Sequence, residues 1–118
     1  MPDTTLTWLG HAAFRVDTPG GKRVYVDPFL NMNPKCPPAE RDPERVDVIA
    51  VTHGHGDHVG DTVALAQKHK ATVVALVELA HWLGQSGVDE GSLQAPNKGG
   101  TVDVGGVVLK ILIVFYSV

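Results

Sequence analysis

The chain is 118 residues long, 43% hydrophobic and 19% charged, with a formal net charge of −3. That length fits one domain with a modest core, the composition excludes a disordered chain, and the lack of a basic excess argues against a nucleic-acid binder. The single cysteine, Cys36, leaves no internal disulfide and suits a reducing compartment.

From the N-terminus, "MPDTTLTWLG" has neither the charged n-region nor the apolar h-region of a secretory signal. "TLTWLGHAAFRVDT" (Thr5–Thr18) predicts two short strands around a bend at Gly10-His11. Pro19–Gly21 is a turn, and Lys22–Asp27 predicts a third strand ended by Pro28, making an antiparallel meander. Residues 31–45, with Pro34, Pro37, Pro38 and Pro43, form a long functional or covering loop. "VDVIAVT" (Val46–Thr52) is apolar enough for a strand buried on both faces.

Asp61–Lys70 predicts a helix that Asp61 would cap and that Lys68 and Lys70 would favour at its C-terminal end. "ATVVALV" (Ala71–Val77) is another buried strand, and Glu78–Gly87 a short helix closed by Gly87. Asp89–Gly100 reads as a polar loop. Thr101–Tyr116 predicts two strands around Gly105-Gly106, of which "ILIVFY" is too short to span a bilayer. The order is β-β-β-loop-β-α-β-α-β-β, a mixed α/β (α+β) domain over residues 1–118 with no membrane span.

The chemistry concentrates in "VTHGHGDHVGD" (Val51–Asp61). His53 and His55, two apart in an extended segment, point the same way and can meet one metal ion. Gly54 and Gly56 leave the way clear and permit unusual backbone angles. Asp57 and His58 address a second point nearby. Imidazole and carboxylate suit zinc, iron or manganese rather than calcium, and the absence of cysteine favours an open, catalytic site over a closed structural one.

"THGHGDHVGD" resembles the His-x-His-x-Asp-His signature of the metallo-β-lactamase superfamily. With "TWLGHAAFRV" and "VYVDPFL" it is similar to a branch of small metal-dependent hydrolases related to the ascorbate-phosphate lactonases. The resemblance implies the N-terminal half of a four-layer αββα sandwich. It implies two divalent ions, zinc foremost and manganese or iron as alternatives. His53 and His55 would hold the first and Asp57 and His58 the second, with Asp57 also handling the proton of the attacking water. His11 would lie near the metals, and Asp27 would orient a ligand histidine. A hydroxide on the metals would attack an ester, lactone or phosphoester of a small-molecule substrate in the cytoplasm.

The family pattern continues past Lys110 with a histidine, a bridging aspartate and a final histidine. Residues 111–118, "ILIVFYSV", depart from it. The alternative reading is therefore an inactive metal-binding fragment, exposing an apolar sheet edge open to self-association and lacking a second sheet over its inner face. The remaining candidates read as structural. Asp61 is a helix cap, His69 a solvated helix-end residue, His81 helix-face packing, Cys36 an incidental loop residue and Trp8 core.

Overall fold

The protein is described by a computed structural model covering residues 3–111. Three antiparallel strands come first: β1 (Thr5–Trp8), β2 (Phe14–Asp17) and β3 (Arg23–Val26). The meander is as expected from the two turns. Gly10 and Gly21 carry the positive φ angles that these turns demand.

From β3 the sheet continues in parallel through β4 (Val48–Ala50), β5 (Thr72–Val74) and β6 (Leu93–Gln94), giving the order β1-β2-β3-β4-β5-β6. Strand β6 lies inside the segment expected to be polar loop. It is two residues long, too short for an alternating pattern. Its backbone groups are recruited by the otherwise free edge of β5, where Ala75 N–H also donates to Gln94 O at 3.2 Å. Both buried strands are shorter than the apolar runs suggested, because only three residues of β4 face three of β5.

Alternation sorts the core into two faces. Tyr25, Ile49 and Val73 turn to one side, where they pack with Leu9, Leu65, Ala80 and Leu83. Val24, Val48 and Val74 turn to the other. The first side is covered by three helices: α1 (Gly56–Val59), α2 (Thr62–His69) and α3 (Val77–Gln85). Thr62, Leu65 and Ala66 are the buried positions of α2, and Ala80 and Leu83 those of α3, the three- and four-residue spacings of a half-buried helix. The second side is not left bare. The hairpin β7 (Thr101–Val104) and β8 (Val107–Lys110) lays Val102, Val104, Val107 and Leu109 against it. The part of the expected last strand past Ile111 lies outside the described residues, as does all but the first residue of the departure assigned to residues 111–118. Among the described residues no helix is long and apolar enough to cross a membrane.

Several structural expectations change. Asp61 occupies the N-cap position of α2, but its side chain makes no cap hydrogen bond. Instead Asp61 Oδ2 accepts the backbone N–H groups of Leu30 and Asn31, each at 2.9 Å, while Asp61 N–H donates to Pro28 O. The carboxylate ties the loop after β3 to the start of α2. Asp61→Ala should cost about 1–2 kcal/mol by stranding those donors, one at a buried residue. Thermal melting should fall by roughly 4–8 °C, with Asp61→Asn intermediate. An unchanged melting temperature for the alanine variant would remove this clamp from the account.

Trp8, expected in the core, is 60% exposed because β1 is an edge strand with one face uncovered. Cys36, expected to be incidental, is buried as part of the main core cluster, and burial pushes its thiol pKa up. His81 is exposed rather than packed. His69 is half-buried rather than solvated, with a buried Nε2 that finds no hydrogen-bond partner among the described residues.

Candidate metal centre

Parallel pairing of β3, β4 and β5 carries their C-terminal ends to one edge of the sheet, and the β1–β2–β3 meander brings the end of β1 there too. The segments leaving those ends hold the polar residues: His11 after β1, Asp27 after β3, and Thr52 to His58 after β4. The crevice beyond the carboxyl ends of parallel strands is where open α/β sheets place their ligands.

Asp27 is 2% exposed and adopts φ +46°, a conformation disfavoured for most side chains but tolerated by aspartate. Its N–H donates to Ala50 O at 2.9 Å, which locks it to β4. Asp27 Oδ1 accepts Thr52 N–H at 2.8 Å and Oδ2 accepts the Thr52 hydroxyl at 2.7 Å. The same Oδ2 lies 2.8 Å from His58 Nδ1. A carboxylate only accepts, so His58 Nδ1 donates. The Thr52 hydroxyl proton is committed to Asp27, so the oxygen accepts from His53 Nδ1, 2.8 Å away. One buried carboxylate thereby sets two imidazole tautomers, and both rings keep an unprotonated Nε2.

His53 Nε2 and His55 Nδ1 lie 3.2 Å apart. Two nitrogens on a tetrahedral zinc at about 2.0–2.1 Å stand about 3.3 Å apart, so the pair is spaced for one ion. The His58 ring lies close to that of His53, centroids 4.0 Å apart and planes tilted by 48°. His11, at φ +54°, reaches across from the β1 bend and places Nε2 2.9 Å from Asp57 Oδ2. The His11 carbonyl is itself held by the Trp8 indole N–H at 2.9 Å. His11, Asp57 and His58 each offer one donor atom within 4.8 Å of the others, and so do Asp27, His53 and His58. In the second set Asp27 is already engaged by Thr52 and His58, which suits an anchor rather than a ligand.

Partial desolvation pushes the Asp57 carboxyl pKa up. The hydrogen bond to His11, the Asp57 backbone N–H and the neighbouring His58 and His11 rings outweigh it, and the group lies below the ordinary carboxylate range. Imidazoles of fixed tautomer, an ionised carboxylate and no thiolate make a donor set that fits a divalent ion of the zinc, iron or manganese class.

The grouping differs from the one read along the chain. His53 and His55 do meet, but through bends after β4 rather than an extended strand, with His55 at the N-cap of α1. Gly54 and Gly56 take no positive φ, so neither uses the left-handed backbone region open to glycine. A Cβ at Gly56 would meet nothing within 4 Å. The glycine that matters lies one turn later, at Gly60. His11 stands with Asp57 and His58. Thr52, unremarked in the sequence, connects Asp27 to His53; a hydroxyl residue directly after a buried apolar strand and before the first histidine was the available signal.

Residues 5–110 match the family described as the beta-lactamase superfamily domain. A UPF0173 metal-dependent hydrolase of Koribacter versatilis is 44% identical over 112 residues, covering 95% of this chain and 47% of that protein. The chain spans about half the length of the curated relatives it matches. Among solved structures, the metallo hydrolase Igni18 of Ignicoccus hospitalis superposes with a TM-score of 0.66 at 24% identity, covering 87% of this chain and 45% of Igni18. The Rm3 metallo-beta-lactamase gives 0.63 at 24% identity, covering 91% and 47%. At such identities the likeness speaks for the fold alone.

Proposed function

The chain belongs to the beta-lactamase superfamily domain family, and from that premise we propose that it acts in metal-dependent hydrolysis of an ester, lactone or phosphoester in a small molecule. The observation that carries this reading is the convergence, at one sheet edge, of the His53–His55 pair with the His11, Asp57 and His58 set. The naming of its relatives as metal-dependent hydrolases supports it.

In this reading His53 and His55 hold one divalent ion, and Asp57 and His58 hold a second, with His11 beside them. Zinc suits these donors, with manganese or iron as alternatives. When bound, the ions polarise the substrate's oxygen and lower the pKa of water. The chain's own residues do the rest. Asp27 and Thr52 hold protons on the Nδ1 atoms of His58 and His53, keeping Nε2 of each ring free. Asp57, ionised and half-exposed, accepts the proton of the attacking water at a carboxylate oxygen. His11 fixes the orientation of that carboxylate through Nε2.

The test is purified protein assayed for bound metal and for hydrolysis of generic esters and phosphodiesters. His55 is exposed and its recorded side-chain hydrogen bond is to His53, so His55→Ala should leave thermal melting within about 0.5 kcal/mol of the parent. Hydrolysis should nonetheless fall by roughly 100-fold or more, the cost of losing a direct metal ligand being at least that of losing its supporting partner. Activity that survives the substitution would dismiss this site. Weak metal uptake with no turnover at any metal load would favour the inactive metal-binding fragment over the hydrolase.

A further inference from the structure

A cavity of about 180 Å³ opens beside the candidate metal centre, lined by His11, Phe29, Asn33, Pro34, Lys35 and Asp57. Two of these belong to the centre. The others come from the loop after β3, and that loop is firmly held. Asn33 is 1% exposed. Its side-chain amide donates to the carbonyls of Gly10 and Phe29, each at 3.0 Å, and its Oδ1 accepts Lys35 N–H at 3.0 Å. Gly10, at φ +97°, packs directly on Lys35: a Cβ added there would come within 2.6 Å of Lys35 Cβ. The Lys35 backbone and Cβ are thus fixed against the same bend that delivers His11, while its side chain is exposed.

The charge on Lys35 is available. Among the described residues no carboxylate stands within ion-pairing distance of it; the same holds for Lys22, Arg41, Lys70, Lys98 and Lys110, and what sets Lys35 apart is its place in the wall of the cavity beside His11 and Asp57. The Asp57 carboxylate in the same cavity is engaged by His11 at 2.9 Å. Phe29 and Pro34 supply apolar wall, which strengthens any charge pairing made there. An ammonium acts as a compact point charge for carboxylate or phosphate oxygens. The volume is below the roughly 300–1,000 Å³ of a site that encloses a whole drug-sized ligand, so it suits one part of a substrate.

We infer that Lys35 is a specificity residue that binds an anionic group of the substrate, carboxylate or phosphate, beside the bond to be cleaved. Its catalytic consequence rests on the hydrolase reading; the anion site does not.

Two measurements separate these. Amide chemical shifts of the full chain are followed during titration with inorganic phosphate and, separately, acetate. Saturable shifts are expected at Lys35 and His11, with affinity about tenfold weaker in Lys35→Gln and retained in Lys35→Arg, the loss expected of one charge-assisted contact in a half-open cleft. The stronger of the two anions identifies the group. No binding by the parent chain, or equal binding by Lys35→Gln, overturns the inference. In hydrolysis, the ratio of kcat/KM for mono-4-nitrophenyl succinate to that for 4-nitrophenyl acetate should fall about tenfold in Lys35→Gln, mostly through KM, and recover in Lys35→Arg. An unchanged ratio overturns the specificity role. If the parent chain hydrolyses neither ester, the hydrolase reading fails while the titration still decides the anion site.

Discussion

Gly60→Ala should lower the melting temperature by more than about 12 °C and empty the candidate centre with it. Gly60 ends α1 at φ 48° and ψ −121°, outside the region any L side chain adopts readily. There is also no room: an added Cβ would collide with Phe29 Cα, and would stand 2.5 Å from Pro28 O and 2.7 Å from Phe29 N. These are backbone atoms, pinned by Asp61 N–H to Pro28 O and by the Asp61 carboxylate to Leu30 and Asn31. Neither partner can yield without moving the loop after β3 or the one-turn helix that carries Asp57 and His58. Strain plus overpacking costs about 3–5 kcal/mol, at roughly 4 °C per kcal/mol for a chain of this size. Gly56→Ala is the control, since open space surrounds that position and its φ is negative. Melting curves that rank the two variants alike would contradict this account.

Asp27→Asn should weaken zinc binding by about 100-fold while Thr52→Val weakens it by about tenfold, within the range found when partners of ligating histidines are removed. Asparagine tolerates the positive φ at this position, so the backbone survives. The hydrogen bonding does not. With the amide oxygen kept on Thr52 N–H, the amide nitrogen faces the Thr52 hydroxyl and His58 Nδ1. Two donors cannot face each other, so His58 adopts the tautomer that accepts at Nδ1 and carries its proton on Nε2. The Thr52 hydroxyl turns to donate to His53 Nδ1, which moves that proton to Nε2 as well. Both Nε2 atoms, the ones proposed to bind metal, are then blocked. Thr52→Val breaks only the arm to His53. Chelator-competition titration measures the affinities, and long-range histidine ¹⁵N shifts report the tautomers. Parental affinity in Asp27→Asn, or unchanged tautomers, would refute the two-armed role of this carboxylate.

How legible this was along the chain depends on how local each feature is. Strands β1 to β3 were readable because tight turns with glycine and proline join them in sequence order. The helix α2 was readable from Lys68 and Lys70 at its C-terminal end, although the cap expected of Asp61 does not form. Strand β6 was not, because two residues pair only by virtue of β5's exposed edge. Trp8 misleads for a similar reason: an indole in a β-rich segment implies core, but only the sheet order reveals that β1 is an edge strand. Cys36 misleads in the opposite sense, since a proline-rich loop gives no sign that it folds back into the main core.

The candidate centre divides along the same line. By itself the sequence determined that His53, His55, Asp57 and His58 lie together, because eleven residues of chain cannot carry them far apart, and it determined the kind of ion they suit, because donor chemistry belongs to residue type. Only the tertiary structure decided what orients and surrounds them. His11 is 46 positions from Asp57 and Asp27 is 31 from His58, and they meet because β1, β3 and β4 end at one sheet edge. Tautomer, strain at Gly60 and the placing of Lys35 all follow from those long-range contacts. Spacing along a chain specifies neighbours within a turn, while direction and protonation depend on groups that arrive from elsewhere in the fold.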